Sequence, residues 1–203
     1  MIAIIDYGMG NLGSVFNMLK KIGVDSVISG SIDEIQKADK IILPGVGAFD
    51  AAIKKIDELG LRKVIADFVI TKRKPLLGIC LGMQLLLESS EEGILPGLGL
   101  IPGRVFHFKN HVVPGLKIPH MGWNTVSIAN PSPLIIDFPE DSRFYFVHSY
   151  FVKVNDPAHS ILKCNYGLEF DAAIQKDNIF GAQFHPEKSH KFGMKLLHNF
   201  ASL

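Results

Sequence analysis

The amino-acid sequence predicts a mixed α/β fold: a single domain over residues 1–203 in which a largely parallel sheet is flanked by helices. In the first half of the chain, short apolar runs alternate with helix-like segments, as expected of parallel strands joined by crossover helices. In the second half, short strand-like runs separated by Gly, Pro and Asn follow one another, which favours antiparallel pairing. At 203 residues and 47% hydrophobic composition, the chain is also long enough to bury one substantial core.

The first half is expected to contain four strands, each ending in a turn that leads to a helix. Its apolar runs are short enough for strands, and the segments between them have helical spacing. The expected strands are residues 2–5, 26–28, 40–43 and 76–79, and the expected helices are residues 15–22, 49–59 and 61–71, one near residue 33 and one from residue 81 onward.

The second half is expected to be strand-rich and to close with an amphipathic helix. Loops rich in Pro and Gly, such as residues 95–103, are interpreted as lying within the same domain. The expected strand segments are residues 100–108, 117–118, 124–128, 144–150, 160–164, 172–175 and 180–185, and the closing helix is residues 192–200.

Composition and charge exclude several classes of function. The net charge is +1, so nothing indicates nucleic-acid binding. The apolar start of the chain is interrupted at Asp6, and neither a signal peptide nor a membrane span is expected. Two cysteines, Cys80 and Cys164, make no disulfide framework, and a reactive thiol implies a reducing compartment, so a cytoplasmic location is expected. No Cys/His cluster has zinc spacing; neither a metal nor a cofactor is expected.

The most informative stretch is residues 74–88, where the apolar pattern changes from strand to helix at Cys80. Gly78 and Gly82 flank Cys80 two residues away on either side, as in the G-x-S-x-G nucleophile elbow with cysteine in place of serine. Unpaired N–H groups at the start of the following helix favour thiolate over thiol and can face an oxyanion. The pattern indicates a nucleophile, although a buried structural cysteine is the alternative.

A second stretch supplies a candidate base. Pro186 biases His185 towards an extended backbone, and residues two apart in an extended segment share a face. Glu187 can therefore hold one imidazole nitrogen of His185 and leave the other for the Cys80 thiol. Alone, this segment is more typical of a loop histidine beside a solvated glutamate, and its pairing with the Cys80 elbow is what favours a base.

Two glycine-rich turns invite further interpretations. Gly45 and Gly47 follow the third strand and leave backbone N–H groups uncovered, as a segment that binds an oxyanion requires. Gly8, Gly10 and Gly13 satisfy G-x-G-x-x-G between a strand and a helix, which is typical of dinucleotide sites. The second strand offers no acid for a ribose hydroxyl, so a tight turn between strand and helix is the competing interpretation.

The motifs together resemble the class I, triad-type glutamine amidotransferases, and within them the glutaminase subunits of imidazole glycerol phosphate synthase. The resemblance extends over nearly the whole chain. It rests on residues 78–84 (Gly-Ile-Cys-Leu-Gly-Met-Gln) and 185–187 (His-Pro-Glu), supported by residues 6–11, 44–47, 91–93, 119–124 and 145–150. It implies the class I glutamine amidotransferase, flavodoxin-like, fold.

The resemblance also implies residue roles. Cys80 would attack the carboxamide of L-glutamine and release ammonia, His185 would transfer protons, and Glu187 would orient His185. The oxyanion hole is implied at Gly45, Val46 and Leu81. Glutamine-binding positions are implied at Gly47, Gln84, Glu92, His148, Ser149 and Tyr150.

A partner is implied as well. Asn11, Trp123, Tyr145 and Lys188 are similar to residues that face a (β/α)₈-barrel cyclase subunit, which receives the ammonia and makes imidazole glycerol phosphate and AICAR in histidine biosynthesis. Trp123 and Tyr145 are equally compatible with core aromatics, and Lys188 with a solvated lysine. Three alternatives remain open: a paralogous glutaminase that feeds surface-sugar amidation, a hydrolase of another amide, and a nucleotide-binding domain.

Overall fold

The structure, a computed structural model, describes residues 1–111 and 115–203. Within these residues six α-helices and thirteen strands are formed. The helices are α1 (Leu12–Lys21), α2 (Ile32–Lys37), α3 (Phe49–Glu58), α4 (Leu61–Ala66, continued by a π-helical turn, Asp67–Thr71), α5 (Leu81–Leu85) and α6 (His190–Ala201). Short 3₁₀ turns are Phe108–Asn110, Pro133–Ile135, Pro157–His159 and Pro186–Lys188.

The strands follow the expected alternation of elements. They are β1 (Ile2–Ile5), β2 (Ser26–Ser29), β3 (Lys40–Gly45), β4 (Leu76–Cys80), β5 (Ser89–Ser90), β6 (Gly103–His107), β7 (His120–Thr125), β8 (Ser127–Ile128), β9 (Arg143–His148), β10 (Tyr150–Val154), β11 (Ser160–Asn165), β12 (Glu169–Lys176) and β13 (Ile179–Ala182).

Eleven of the strands in the described residues form one sheet, in the order β2-β1-β3-β4-β13-β12-β10-β6-β5; β11 also pairs with β12, and β8 pairs with β11. In this order the first five strands, β2, β1, β3, β4 and β13, are parallel. From β12 onward the pairing is antiparallel, except between β5 and β6. Strands β7 and β9 form a separate antiparallel pair. The prediction of a mixed, largely parallel sheet with a more antiparallel second half is confirmed.

Helices cover both faces of the parallel half, so its strands are apolar on both sides. Ala3 and Ile5 pack into one core with α2, α3 and α4, whereas Ile2 and Ile4 pack into the other with α1 and α6. Since successive side chains of a strand point to opposite faces, these alternating residues separate the two cores.

Element boundaries in the second half differ from the sequence predictions. Residues 117–118 form no strand, and the expected strand 144–150 is divided at Ser149 because β9 pairs with β7 whereas β10 pairs with β6. The expected strand 180–185 ends at Ala182, three residues before His185. Pairing partners distant in sequence decide these boundaries, and local patterns do not reveal them.

The strand order brings the informative segments together. Strands β1, β3, β4 and β13 are neighbours and run parallel, so their carboxyl ends lie at one edge of the sheet. Asn11, Val46, Cys80 and His185 all lie in or shortly after these ends. Ligand sites of open α/β sheets form at this edge.

Candidate active site

Cys80 lies at a strained turn between β4 and α5. Its backbone has φ +54° and ψ −111°, a region that non-glycine residues rarely adopt. A Cβ on Gly82 would overlap the Leu43 carbonyl oxygen, and one on Gly78 would lie 2.6 Å from the carbonyl oxygen of Gly82. Both flanking positions therefore require glycine, and the turn presents the Cys80 side chain at the edge of the sheet, as the elbow pattern predicts.

His185 and Glu187 follow β13, the other neighbour of β4. His185 has φ −100° and ψ 98°, the extended backbone that Pro186 favours, and its N–H donates to the Tyr145 carbonyl oxygen. The Nδ1 atom of His185 donates to Glu187 Oε1 over 2.8 Å, and both side chains are buried. His185 Nε2 is buried and has no hydrogen-bond partner among the described residues, which leaves it for the thiol.

The electrostatics of this pair suit proton transfer. Burial lowers the pKa of His185, but the proximity of Cys80 and the hydrogen-bonded Glu187 carboxylate outweigh burial and raise that pKa to about 10. A raised imidazole pKa beside a thiol stabilises an imidazolium–thiolate pair.

The segment after β3 lies on the other side of Cys80. Gly45 is in register with Cys80 across β3 and β4, so Val46 and Gly47 extend beside Cys80. The Tyr7 hydroxyl donates to the Pro44 carbonyl oxygen over 2.9 Å and fixes the peptide before Gly45. Burial, and then the charge of Cys80, raises the pKa of Tyr7, which therefore remains a neutral donor.

A cavity of about 370 Å³ opens over Cys80. This volume is at the lower end of the range of about 300–1,000 Å³ that is typical of small-ligand sites. It is lined by Val46, Gly47, Cys80, Leu81, Gln84, Glu92, Pro119, Val147, His148, Ser149, Tyr150, His185 and Lys188. All six residues expected to bind the substrate are among them, whereas Gly45 and Glu187 lie behind this lining.

The polar wall of the cavity is held by internal hydrogen bonds. Glu92 Oε2 accepts from the Phe49 N–H, and burial raises the pKa of the Glu92 carboxyl. His148 Nδ1 donates to the Tyr150 carbonyl oxygen over 2.7 Å, and its Nε2 accepts from His120 Nδ1 over 2.9 Å. Both imidazoles are neutral in this arrangement, in agreement with pKa values that burial lowers to about 3 for His148 and about 4 for His120.

None of the four expected interface residues is buried, and three of them form one group that reaches the cavity through Lys188. Trp123 and Tyr145 are in register on β7 and β9, with ring centroids 6.3 Å apart, and Lys188 Nζ lies 5.7 Å from the Tyr145 ring centre. Trp123 is 44% exposed, and Asn11 is exposed at the start of α1. The interpretation of Trp123 as a core aromatic is wrong.

Three residues near Cys80 or its cavity were not among the predicted site residues. Pro119 and Val147 line the cavity, and Gln183 Nε2 lies 3.7 Å from Cys80 Sγ. Gln183 is two residues before His185, so the rule that such residues share a face in an extended segment could have found it.

The glycine pattern after β1 forms a turn. Asp6 Oδ1 accepts from the Gly8 N–H, and Gly8 and Gly10 have φ of +82° and +123°. Strand β2 ends at Ser29, whose hydroxyl accepts from the Ser31 N–H, and no acid stands there for a ribose. The geometry favours the tight-turn interpretation over a dinucleotide site.

Two kinds of feature are absent from residues 1–111 and 115–203. No helix in this part of the chain is long and apolar enough to cross a membrane. No group of three or more His, Cys, Asp or Glu residues in the same part could hold a metal ion.

Fold and site together define a class I glutamine amidotransferase, and the model of the family described as Glutamine amidotransferase class-I matches residues 3–202. The chain is 51% identical over 203 residues to the imidazole glycerol phosphate synthase subunit HisH 2 of Pseudomonas aeruginosa, with all of both chains covered. It is 54% identical over 200 residues to the subunit HisH 2 of Methanococcus maripaludis, with 98% of each covered. The chain therefore belongs to the HisH family of these amidotransferases.

The solved structures show the same fold at lower sequence identity. The structure of PurLQS from Thermotoga maritima matches with a TM-score of 0.75 at 20% identity, over 99% of this chain and 97% of that one.

Proposed function

We propose that this chain, as one amidotransferase unit over residues 1–203, hydrolyses L-glutamine to glutamate and ammonia and passes the ammonia to a (β/α)₈-barrel cyclase subunit. The cyclase would use it to make imidazole glycerol phosphate and AICAR in histidine biosynthesis. The observation that supports the glutaminase role most directly is that Cys80 and His185 line one cavity, with Glu187 hydrogen-bonded to His185 behind it. The HisH names of the relatives support the partner and the pathway.

In the first step, Cys80 attacks the side-chain carboxamide of glutamine. The Cys80 thiolate forms a C–S bond to the carboxamide carbon, and the carbonyl electrons move to oxygen. His185 then protonates the amide nitrogen, the C–N bond breaks and ammonia leaves, with a γ-glutamyl thioester on Cys80. Glu187 keeps the Nδ1–H of His185 directed away from the thiol, which is the orienting role of a triad carboxylate.

The oxyanion of this step would be held by backbone N–H groups. The Leu81 N–H follows the nucleophile directly, as the elbow geometry requires. Gly45 and Val46 lie in the segment in register with Cys80 and can supply the second donor. The Tyr7–Pro44 hydrogen bond anchors the start of this segment, and Gly47 at φ +104° gives its end conformational freedom.

Recognition of glutamine would use the polar wall of the cavity. The Glu92 carboxylate suits the α-ammonium group, and Gly47, Gln84, His148, Ser149 and Tyr150 surround the remaining space. Gln84 Nε2 already donates to the Tyr150 carbonyl oxygen, so its carboxamide is positioned before substrate binds.

In the second step, water attacks the thioester and gives its proton to His185, and the C–S bond breaks to regenerate the Cys80 thiolate and release glutamate. Ammonia that met water would be protonated and would lose its nucleophilicity, so transfer requires a covered exit. The proposed contact surface for the cyclase consists of Trp123, Tyr145 and Lys188, which reach the cavity through Lys188, together with the exposed Asn11 after β1. Both cysteines are free thiols, which supports a reducing, cytoplasmic setting.

The test uses the chain together with its cyclase partner and two nitrogen sources. Cys80→Ala should abolish glutamine-dependent synthesis and leave ammonium-dependent synthesis by the partner intact. Cys164→Ala, which removes the other cysteine in a buried position of β11, is the matched control and should retain both. Glutamine-dependent turnover by Cys80→Ala at the wild-type rate would overturn the proposal.

A further inference from the structure

Gln183 occupies a fully buried position next to the nucleophile. It follows β13 directly and has 0% exposure, and its backbone N–H donates to the Ala172 carbonyl oxygen over 2.8 Å. Its side-chain Nε2 lies 3.7 Å from Cys80 Sγ, within hydrogen-bonding range for sulfur. Buried polar side-chain atoms are nearly always hydrogen-bonded. Here the Cys80 sulfur accepts a hydrogen bond from one N–H of the Gln183 amide.

The orientation of the Gln183 amide is set by a chain of hydrogen bonds. The Tyr150 carbonyl oxygen can only accept hydrogen bonds, and it accepts one from Gln84 Nε2 over 3.3 Å. Gln84 therefore presents its NH₂ group on this side, and the same nitrogen donates to Gln183 Oε1 over 3.0 Å. With its oxygen engaged by Gln84, Gln183 must direct its NH₂ group at Cys80. A reversed Gln183 amide would place two NH₂ groups against each other.

We propose that Gln183 is a catalytic residue whose side-chain N–H stabilises the Cys80 thiolate. The inference deepens the proposed function, since it rests on Cys80 being the nucleophile. Two other titratable groups are close enough to interact with Cys80: the His185 imidazole, backed by Glu187, and the Tyr7 phenol, whose hydroxyl donates to the Pro44 carbonyl oxygen. Gln183 differs from the imidazole because it donates without exchanging a proton.

The hydrogen bond serves both halves of the reaction. Before attack, an N–H directed at sulfur is stronger for thiolate than for thiol, because hydrogen bonds to charged acceptors are the stronger ones. It therefore raises the fraction of nucleophilic sulfur at neutral pH. During deacylation the C–S bond breaks and sulfur takes the electron pair, and the same N–H stabilises the departing thiolate.

The experiment measures the rate of Cys80 alkylation by iodoacetamide across a pH series. A Cys164→Ala background leaves Cys80 as the single thiol, since the sequence has two cysteines. Gln183→Met keeps the side-chain length without a donor, and Gln183→Glu replaces the donor with an acceptor. Both should move the midpoint of the alkylation profile upward, by about one to two pH units for Met and further for Glu.

Controls separate a role in ionisation from a role in packing. Gln175→Met makes the same substitution on β12, where the amide donates to the Asp177 carbonyl oxygen, and should leave the midpoint unchanged. Thermal unfolding establishes which Gln183 variants are folded, and either one suffices for the comparison. A folded variant with lower kcat but an unchanged midpoint would overturn the inference. Absence of Cys80 alkylation in the wild-type protein would instead overturn the proposed nucleophile.

Discussion

The hydroxyl of Tyr7 donates a 2.9 Å hydrogen bond to the carbonyl oxygen of Pro44, at the point where β3 meets the glycine-flanked segment beside Cys80. Tyr7 lies after β1, so the bond ties the ends of two neighbouring parallel strands. It fixes the Pro44 peptide at the end of β3, directly before the segment from Gly45 to Gly47.

Tyr7→Phe should therefore lower kcat, through the segment from Gly45 to Gly47, more than it lowers the stability of the fold. Removal of the hydroxyl leaves the buried Pro44 carbonyl oxygen without this partner, at a cost of about 1–3 kcal/mol of unfolding free energy. Glutamine-dependent kcat should fall about ten-fold or more, because the Tyr7 hydroxyl no longer fixes the Pro44 peptide, which precedes the N–H groups that would bind the oxyanion. Steady-state kinetics and urea unfolding measure the two effects, and an unchanged kcat would contradict this account of Tyr7.

Glu187→Gln should slow formation of the thioester without preventing glutamine binding. The substitution removes the negative charge that stabilises the His185 imidazolium across the 2.8 Å contact. Loss of a triad carboxylate can cost up to about 10,000-fold in kcat, as in serine proteases. Glu34→Gln on the exposed surface of α2 is the matched control. An effect confined to KM in Glu187→Gln would place Glu187 outside the triad.

The isolated chain should be a poor glutaminase that its partner activates. A segment bounded by Gly45 and Gly47 can turn its peptide so that a carbonyl faces the nucleophile, and one oxyanion donor is worth about a hundred- to a thousand-fold in rate. A partner that binds the donor-inward state shifts the population by its differential affinity. Glutamine hydrolysis should be measured for the chain alone, with the cyclase subunit, and with the cyclase and its acceptor ligand.

Trp123→Ala and Lys188→Ala should reduce this activation, because both residues lie in the proposed contact surface. Leu59→Ala removes an apolar side chain of similar exposure, 46% against 44% for Trp123, at the end of α3, and should retain the activation. Alkylation of Cys80 should remain normal in all three variants. Equal glutamine turnover with and without the partner would favour a hydrolase that acts alone.

Acid should unfold the protein through the His120–His148 pair. Both pKa values are lowered in the folded state, to about 4 and about 3, from an ordinary value of 6.5. Above pH 6.5 both imidazoles are neutral in the folded and the unfolded state, so they do not change the free energy of unfolding. As the pH drops from 6.5 towards the folded pKa values, only the unfolded chain binds protons, and the free energy of unfolding falls. The slope is about 1.4 kcal/mol per pH unit for each group, or about 4 kcal/mol for both by pH 5.

His120→Asn removes one titrating group and should halve that slope between pH 6.5 and pH 5, where it is measured by urea unfolding. His198→Asn, at an exposed position of α6, should leave the slope unchanged. Identical slopes for His120→Asn and the wild-type protein would show that other groups govern acid unfolding.

Local sequence patterns were sufficient for the parallel half of the fold and for the parts of the site that depend on a single segment. The glycines around Cys80 predicted the elbow because a strained turn restricts residue type locally, and Pro186 predicted the extended His185. Family resemblance supplied the oxyanion, substrate and interface residues, which single segments did not specify.

Tertiary structure decided what depends on elements distant in sequence. The division of residues 144–150 at Ser149 follows from two different pairing partners. The contact of Gln183 with Cys80 joins residues 103 positions apart, and the hydrogen bond between His120 and His148 joins two strands. The sequence determined which residues can react, because turn geometry and chemistry are local. Only the packed sheet determined which polar groups face them, because burial and hydrogen-bond partners are set by contacts across the fold.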